Sequence, residues 1–192
     1  MTGPVDRSTV DTLEPLIDAV RDGVEGEGWT LSGLQKTSST EFEGRWAGQS
    51  TRSAYLFFHR EDLETVSVEA YLDETSRGLT GSLGLVADVR PLWELESVPR
   101  ALNQVAALAR AHLPEGYQTP VTLRLRLPRA EEDAREAELE ARVKLRIPRA
   151  AMAAGSSAVS ALAAAVVKSL EAILEDPHSR TVLDLDGEGG LS

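Results

Sequence analysis

Few side chains in this chain are placed to do chemistry. His59 sits beside Arg60, Glu61 and Asp62, an imidazole next to carboxylates, which is what a general acid or base with an orienting partner requires. The same residues read better as a polar turn leaving a strand, because His59 closes the aromatic run Ser53 to His59. His112 and His178 are the other histidines, and no two share the i, i+4 spacing that sets two imidazoles on one metal. His112 ends an expected helix, where the helix dipole favours a partly charged ring. Asp184, Asp186 and Glu188 are spaced like the start of a calcium loop but lack its distal bidentate glutamate. There is no glycine-rich strand-to-helix loop to cradle phosphate and no Gly-x-Ser-x-Gly elbow. The chain has no cysteine, so thiolate nucleophiles, thiolate zinc sites and disulfides are excluded together. The expectation is a protein that is not an enzyme and holds no metal or cofactor; an enzyme centred on His59, Glu61 and Asp62 ranks third among the readings.

Trp29, Trp46 and Trp93 are of a type that anchors both cores and interfaces. Trp46, next to Arg45, and Trp93, flanked by Pro91 and Glu94, lie in loop-like text, which makes them the candidate residues for binding a peptide or partner.

The elements that must position such residues follow from composition and periodicity. A chain of 192 residues can bury roughly 70% of its unfolded surface in one core, so the expected organisation is a single domain over 1–192 with mobile tails near 1–8 and 178–192. Twenty basic against thirty-one acidic residues give a net charge of −11, which opposes approach to nucleic acid and to anionic membranes. The N-terminal residues lack the basic and apolar regions of a secretory signal. The charge-free run Ala150 to Val167 is Ala-, Ser- and Gly-rich and too weakly apolar to span a bilayer. A soluble, cytoplasmic protein is expected.

Apolar residues from Val10 to Val24 recur at helical spacing, giving a first helix over about 12–23 with Thr12 or Asp11 as cap and Gly23, Gly26 and Gly28 ending it. A strand begins at Trp29, Leu31 and Gly33, and a second short one is expected at Phe42 to Trp46. Ser53 to His59 carries bulk on both faces and reads as a central strand. Val66 to Leu72 and Leu83 to Val89 alternate on either side of a turn from Asp73 to Gly81, completing an antiparallel meander. Ser97 and Pro99 open a second helix whose stripe ends at Leu113.

The plainest text is Ala137 to Ile147, where apolar side chains alternate with Glu136, Glu138, Glu140, Arg142, Lys144 and Arg146, the signature of a half-buried strand. Leu123 to Ala130 is a near copy of Val143 to Ala150. Paired as a hairpin, these strands set Arg124 and Arg126 against Glu138 and Glu140, in ion pairs worth about 0.2–1 kcal/mol each. Helix propensity over Ala130 to Ala141 competes with that reading. Arg142, Lys144 and Arg146 are expected to be ion-paired or to protect a sheet edge. A last helix presents Val159, Leu162, Val166, Leu170 and Ile173 on one face, with Ala158, Ala161, Ala165 and Ala172 allowing close approach to a neighbour. The fold class is α+β, an antiparallel sheet of five to six strands in the order α-β-β-β(-β)-α-β-β-α.

This element order, with Val68 to Asp73 before a turn and Ala158 to Leu174 as an amphipathic last helix, resembles the peptide-binding fold of type III secretion chaperones and YbjN-like proteins over residues 12–175. The resemblance implies a non-enzymatic protein that holds an extended client segment by strand addition or in a groove, and that can form a homodimer. The alternative is an acidic immunity- or inhibitor-type protein that neutralises a basic partner.

Overall fold

The computed structural model describes residues 10–39, 51–88, 121–126 and 138–175, together with Ala107 and Ala111, both helical. The described elements run α1 (Leu13–Glu25), β1 (Thr30–Ser39), β2 (Thr51–His59), β3 (Val66–Thr75), β4 (Gly78–Asp88), β5 (Val121–Arg126), β6 (Glu138–Arg146), α2 (Arg149–Ala154) and α3 (Ser156–Glu175). The strands form one six-stranded sheet in the order β1-β2-β3-β4-β6-β5, antiparallel at every pairing. The α+β class expected from the periodicity is therefore the class observed. The expected strand at Phe42 to Trp46, the second helix other than Ala107 and Ala111, and both tails lie outside the described residues.

Alternation fixes which face of the sheet is covered, since successive side chains point to opposite sides. Ala54, Leu56 and Phe58 of β2, Val68, Ala70 and Leu72 of β3, Leu83 and Leu85 of β4, and Val143 and Leu145 of β6 are buried in one core. α1 contributes Leu13, Leu16, Ile17, Val20 and Val24 to it, residues that recur every three or four positions and so share one helix face. The opposite face carries Tyr55, Phe57, Glu69, Tyr71, Lys144 and Arg146, all exposed or half-buried.

Several boundaries differ from the sequence expectation. The turn between β3 and β4 is far tighter than Asp73 to Gly81: the ladder continues to the pair Thr75 and Gly78, leaving Ser76 and Arg77 as the loop. A short helix, α2, precedes the last one and ends at Gly155, whose φ of 105° is a conformation that glycine alone adopts without cost; α3 begins at Ser156. The buried stripe of α3 is Val159, Ala163, Val166, Val167, Leu170 and Leu174, with Leu162 half-buried. Ala161 and Ala165 are exposed, and the close approach to α1 is made by Ala163 with Ser160. Opposite them lies Gly23, inside α1 rather than after it. A Cβ on Gly23 would stand 2.3 Å from the Ser160 carbonyl oxygen and 2.8 Å from the Ala163 Cβ.

The N-terminus of α1 also departs from its expected cap. Thr12 holds the cap position without a side-chain bond. The Leu13 N–H instead donates to Glu74 Oε2 of β3 at 2.8 Å, and Arg52 of β2 joins Glu74 at 3.3 Å and also pairs with Glu14. A backbone hydrogen bond, followed by the Arg52 guanidinium, holds the Glu14 carboxyl below its ordinary range. Glu74 thus does from across the sheet what a local cap does elsewhere. Glu74→Ala is expected to lower stability by about 1–2 kcal/mol, read as a reduced urea midpoint, whereas Thr12→Ala leaves the midpoint nearly unchanged.

The β5–β6 hairpin has the expected register, with Arg124 opposite Glu140 and Arg126 opposite Glu138. Residues 138–141 are strand, so the helical alternative fails for that part of Ala130 to Ala141. β6 is not an edge, because it lies between β4 and β5.

Candidate functional site

Among the described residues β1 and β5 end the sheet. β1 carries mostly short polar side chains, and Thr30, Ser32, Leu34, Gln35, Lys36, Thr37 and Ser38 are all exposed. Its pairing to β2 slips once between Leu31 and Gly33 and is regular from Gly33 to Ser39. Edge strands of this length are commonly blunted by proline, bulges or charges; here the bulge sits near one end, Lys36 is the only charged side chain in the strand, and there is no proline.

The two large apolar side chains exposed among the described residues flank this edge: Leu34 at 42% and Phe57 at 36%. Gly33 is paired with Phe57 and Leu34 with Leu56, so the two lie on opposite faces of the sheet. The absence of a side chain at Gly33 leaves the Phe57 ring bare at the edge, since a Cβ there would come within 3.4 Å of the ring. A strand added beside β1 would find Phe57 on one face and Leu34 on the other, matching the two-residue alternation of an extended peptide.

Behind the edge, the face opposite the helices is a band of aromatic and charged groups. The Tyr55 and Tyr71 rings meet edge to face at 4.6 Å. Lys144 Nζ lies 5.3 Å from the centre of the Tyr71 ring, Arg142 pairs with Glu69 at 3.3 Å, and the Ser53 hydroxyl donates to Asp73 at 2.5 Å. A hollow of about 140 Å³ opens among Tyr55, Phe57, Tyr71 and Lys144, over Gly84.

Tyr71 is pushed up from its ordinary 10.0 to about 12, first by its side-chain hydrogen bond with Tyr55, then by burial and the charge of Asp73. The folded state therefore holds this proton more tightly than the unfolded chain, so its stabilising contribution is complete below pH 10 and is lost as pH rises towards about 12. Tyr71→Phe should remove that part of the alkaline decline in stability, which denaturation midpoints measured from pH 9 to about 12 will show.

The histidine cluster comes apart in the structure. His59, Glu61 and Asp62 are all exposed, and Asp62 is taken by Arg60, Nε to Oδ1, at 2.7 Å. Arg60 also pairs with Glu171 of α3 at 2.8 Å and lies 5.6 Å from the centre of the Trp29 ring. Asp62 first, then Glu171, hold the guanidinium above its ordinary value. Trp29 is 1% exposed, and its indole N–H donates to the same Glu171 at 3.0 Å. Arg60 and Trp29 thus form a structural clasp between the sheet and α3. Trp46, Trp93, His112, His178, Asp184, Asp186 and Glu188 lie outside the described residues. Among the described residues no group of three or more His, Asp or Glu could hold a metal ion, and no helix is long and apolar enough to cross a membrane.

The edge at Leu34 and Phe57 was not among the candidate residues read from the sequence. Its signals there were the polar strand with a lone glycine and the aromatic run with bulk on both faces. No family model, curated protein or solved structure matches this chain.

Proposed function

We propose that this protein is a non-enzymatic, chaperone-like peptide-binding protein that holds an extended client segment as an added strand on β1. The observation that carries this reading is the pairing of an exposed edge strand with the exposed apolar side chains Leu34 and Phe57 on its two faces. Backbone hydrogen bonds to β1 supply affinity for any extended segment, and the two apolar contacts select clients with hydrophobic side chains on both faces. The likeness of the element order to type III secretion chaperones and YbjN-like proteins points the same way, as does a cysteine-free composition suited to the reducing cytoplasm. The experiment is aggregation of a chemically denatured client protein followed by light scattering. Suppression at near-stoichiometric amounts is the expected outcome; aggregation that proceeds as in buffer contradicts the reading.

A second reading, an acidic protein that neutralises a basic partner, draws on the outer side of α1. There Arg21 is shared by Asp18 at 3.1 Å, Asp22 at 3.8 Å and Glu25 at 3.9 Å, so negative charge is in excess on an exposed helix. A single tight, salt-sensitive complex with one basic protein would favour it; binding of many apolar peptides favours the client-holding reading.

A further inference from the structure

At the far side of the sheet from β1, strands β4 and β6 part company. Their last pair is Ser82 with Arg146, followed by one more bond, from the Ile147 N–H to the Gly81 carbonyl at 2.8 Å. Pro148, which has no N–H to continue the ladder, then turns the chain into α2. The start of β4 therefore extends beyond its partner, and the gap is a cavity of about 540 Å³.

The cavity is lined by the edge of the core, at Leu79, Ile147 and Met152, and by Lys144, Arg146 and Arg149. The register leaves two of these cations without a carboxylate opposite them on β4. Lys144 and Arg146 face Gly84 and Ser82 on β4, neither of which carries a carboxylate. Among the described residues neither arginine has an ion-pair partner, and Lys144 has only its contact with Tyr71. Of Arg142, Lys144 and Arg146, expected to be ion-paired or edge-protecting rather than an anion site, Arg142 has an ion pair, with Glu69, among the described residues. Asp73 is the only carboxylate among the described residues lining the cavity, and it accepts a hydrogen bond from the Ser53 hydroxyl.

Ser82 supplies an independent sign. It is 6% exposed and lines both this cavity and the hollow over Gly84, yet its hydroxyl has no hydrogen-bond partner among the described residues. Among the described residues three cations and one carboxylate line the cavity, so its charge is net positive in a chain of net charge −11, which favours an anion there.

We infer that this cavity binds a small amphipathic organic anion, its carboxylate or phosphate held by Lys144, Arg146 and Arg149 with the Ser82 hydroxyl donating, and its apolar part lying on Leu79, Ile147 and Met152. The site is separate from the β1 edge and stands whether or not β1 takes a client.

The test is titration of the full chain with octanoate, octyl phosphate and, as a neutral control, octanamide, followed by calorimetry and by amide NMR shifts at Gly81, Ser82 and Lys144. One or both anions are expected to bind with shifts at those amides, and whichever binds tighter identifies the carboxylate or the phosphate source. Octanamide should bind at least tenfold more weakly, since it lacks the charge-assisted hydrogen bonds. Arg146→Ala with Arg149→Ala, both exposed positions, should weaken the anion at least tenfold without changing the thermal midpoint; Ser82→Ala should weaken it less. Equal binding of octanamide, an unchanged affinity in the double variant, or no binding of either anion would overturn the proposal.

Discussion

Leu34→Lys combined with Phe57→Lys is expected to abolish client capture while leaving the fold intact. Both side chains are already substantially exposed, at 42% and 36%, and substitutions at such positions typically change stability by no more than about 0.5 kcal/mol. Covering each of them with an added strand would contribute on the order of 1–2 kcal/mol from the remaining apolar area. Losing both contacts, and having to desolvate two ammonium groups instead, should weaken a client peptide by roughly a hundredfold or more. Calorimetric titration with an alternating apolar peptide reads this directly, beside thermal unfolding of both proteins. Unchanged affinity in the double variant would remove β1 from the account.

Gly23→Val should be among the most damaging substitutions in the described core. Helix propensity alone argues the other way, because glycine inside a helix costs about 1 kcal/mol relative to alanine. Packing decides the sign: even the first added carbon would stand 2.3 Å from the Ser160 carbonyl oxygen, and a backbone atom within α3 cannot move aside cheaply. α1 and α3 would have to separate, opening the contact that buries Val20, Val159 and Ala163. Overpacking of this kind costs about 1–3 kcal/mol and sometimes more, and the two further methyl groups of valine place it at or above the upper end. Against a total stability of roughly 5–15 kcal/mol, the urea midpoint should fall markedly, with Gly23→Ala intermediate. A midpoint that rises in Gly23→Ala would mean that α1 and α3 are not in contact here.

What could be read from the sequence was whatever local pattern controls. The alternation from Glu138 to Arg146 specified a strand because one face meets the core at Val143 and Leu145, and the opposite charges of Arg124, Arg126, Glu138 and Glu140 fell into the expected register. Gly23 misled because glycine commonly follows a helix, and its actual role exists only once Ser160 and Ala163 lie against it. Glu74 as the cap of α1 was invisible for the same reason: the donor and acceptor are 61 residues apart in sequence. The edge position of β1 and the lack of a carboxylate opposite Lys144 and Arg146 on β4 are properties of strand order and register, which no single segment encodes. Trp46 and Trp93 stand out by residue type and loop-like flanks, while the exposed apolar pair belongs to strands whose burial depends on which neighbour each receives.

The most direct test is backbone amide hydrogen exchange of the full chain with and without a saturating alternating apolar peptide. Strand addition predicts slowed exchange in β1 between Gly33 and Ser39, concentrated at alternate amides because only every second one faces outward from an edge, with α1 and α3 unchanged. Protection confined to the α1–α3 side, or β1 amides exchanging at the free rate while the peptide is bound, would contradict it.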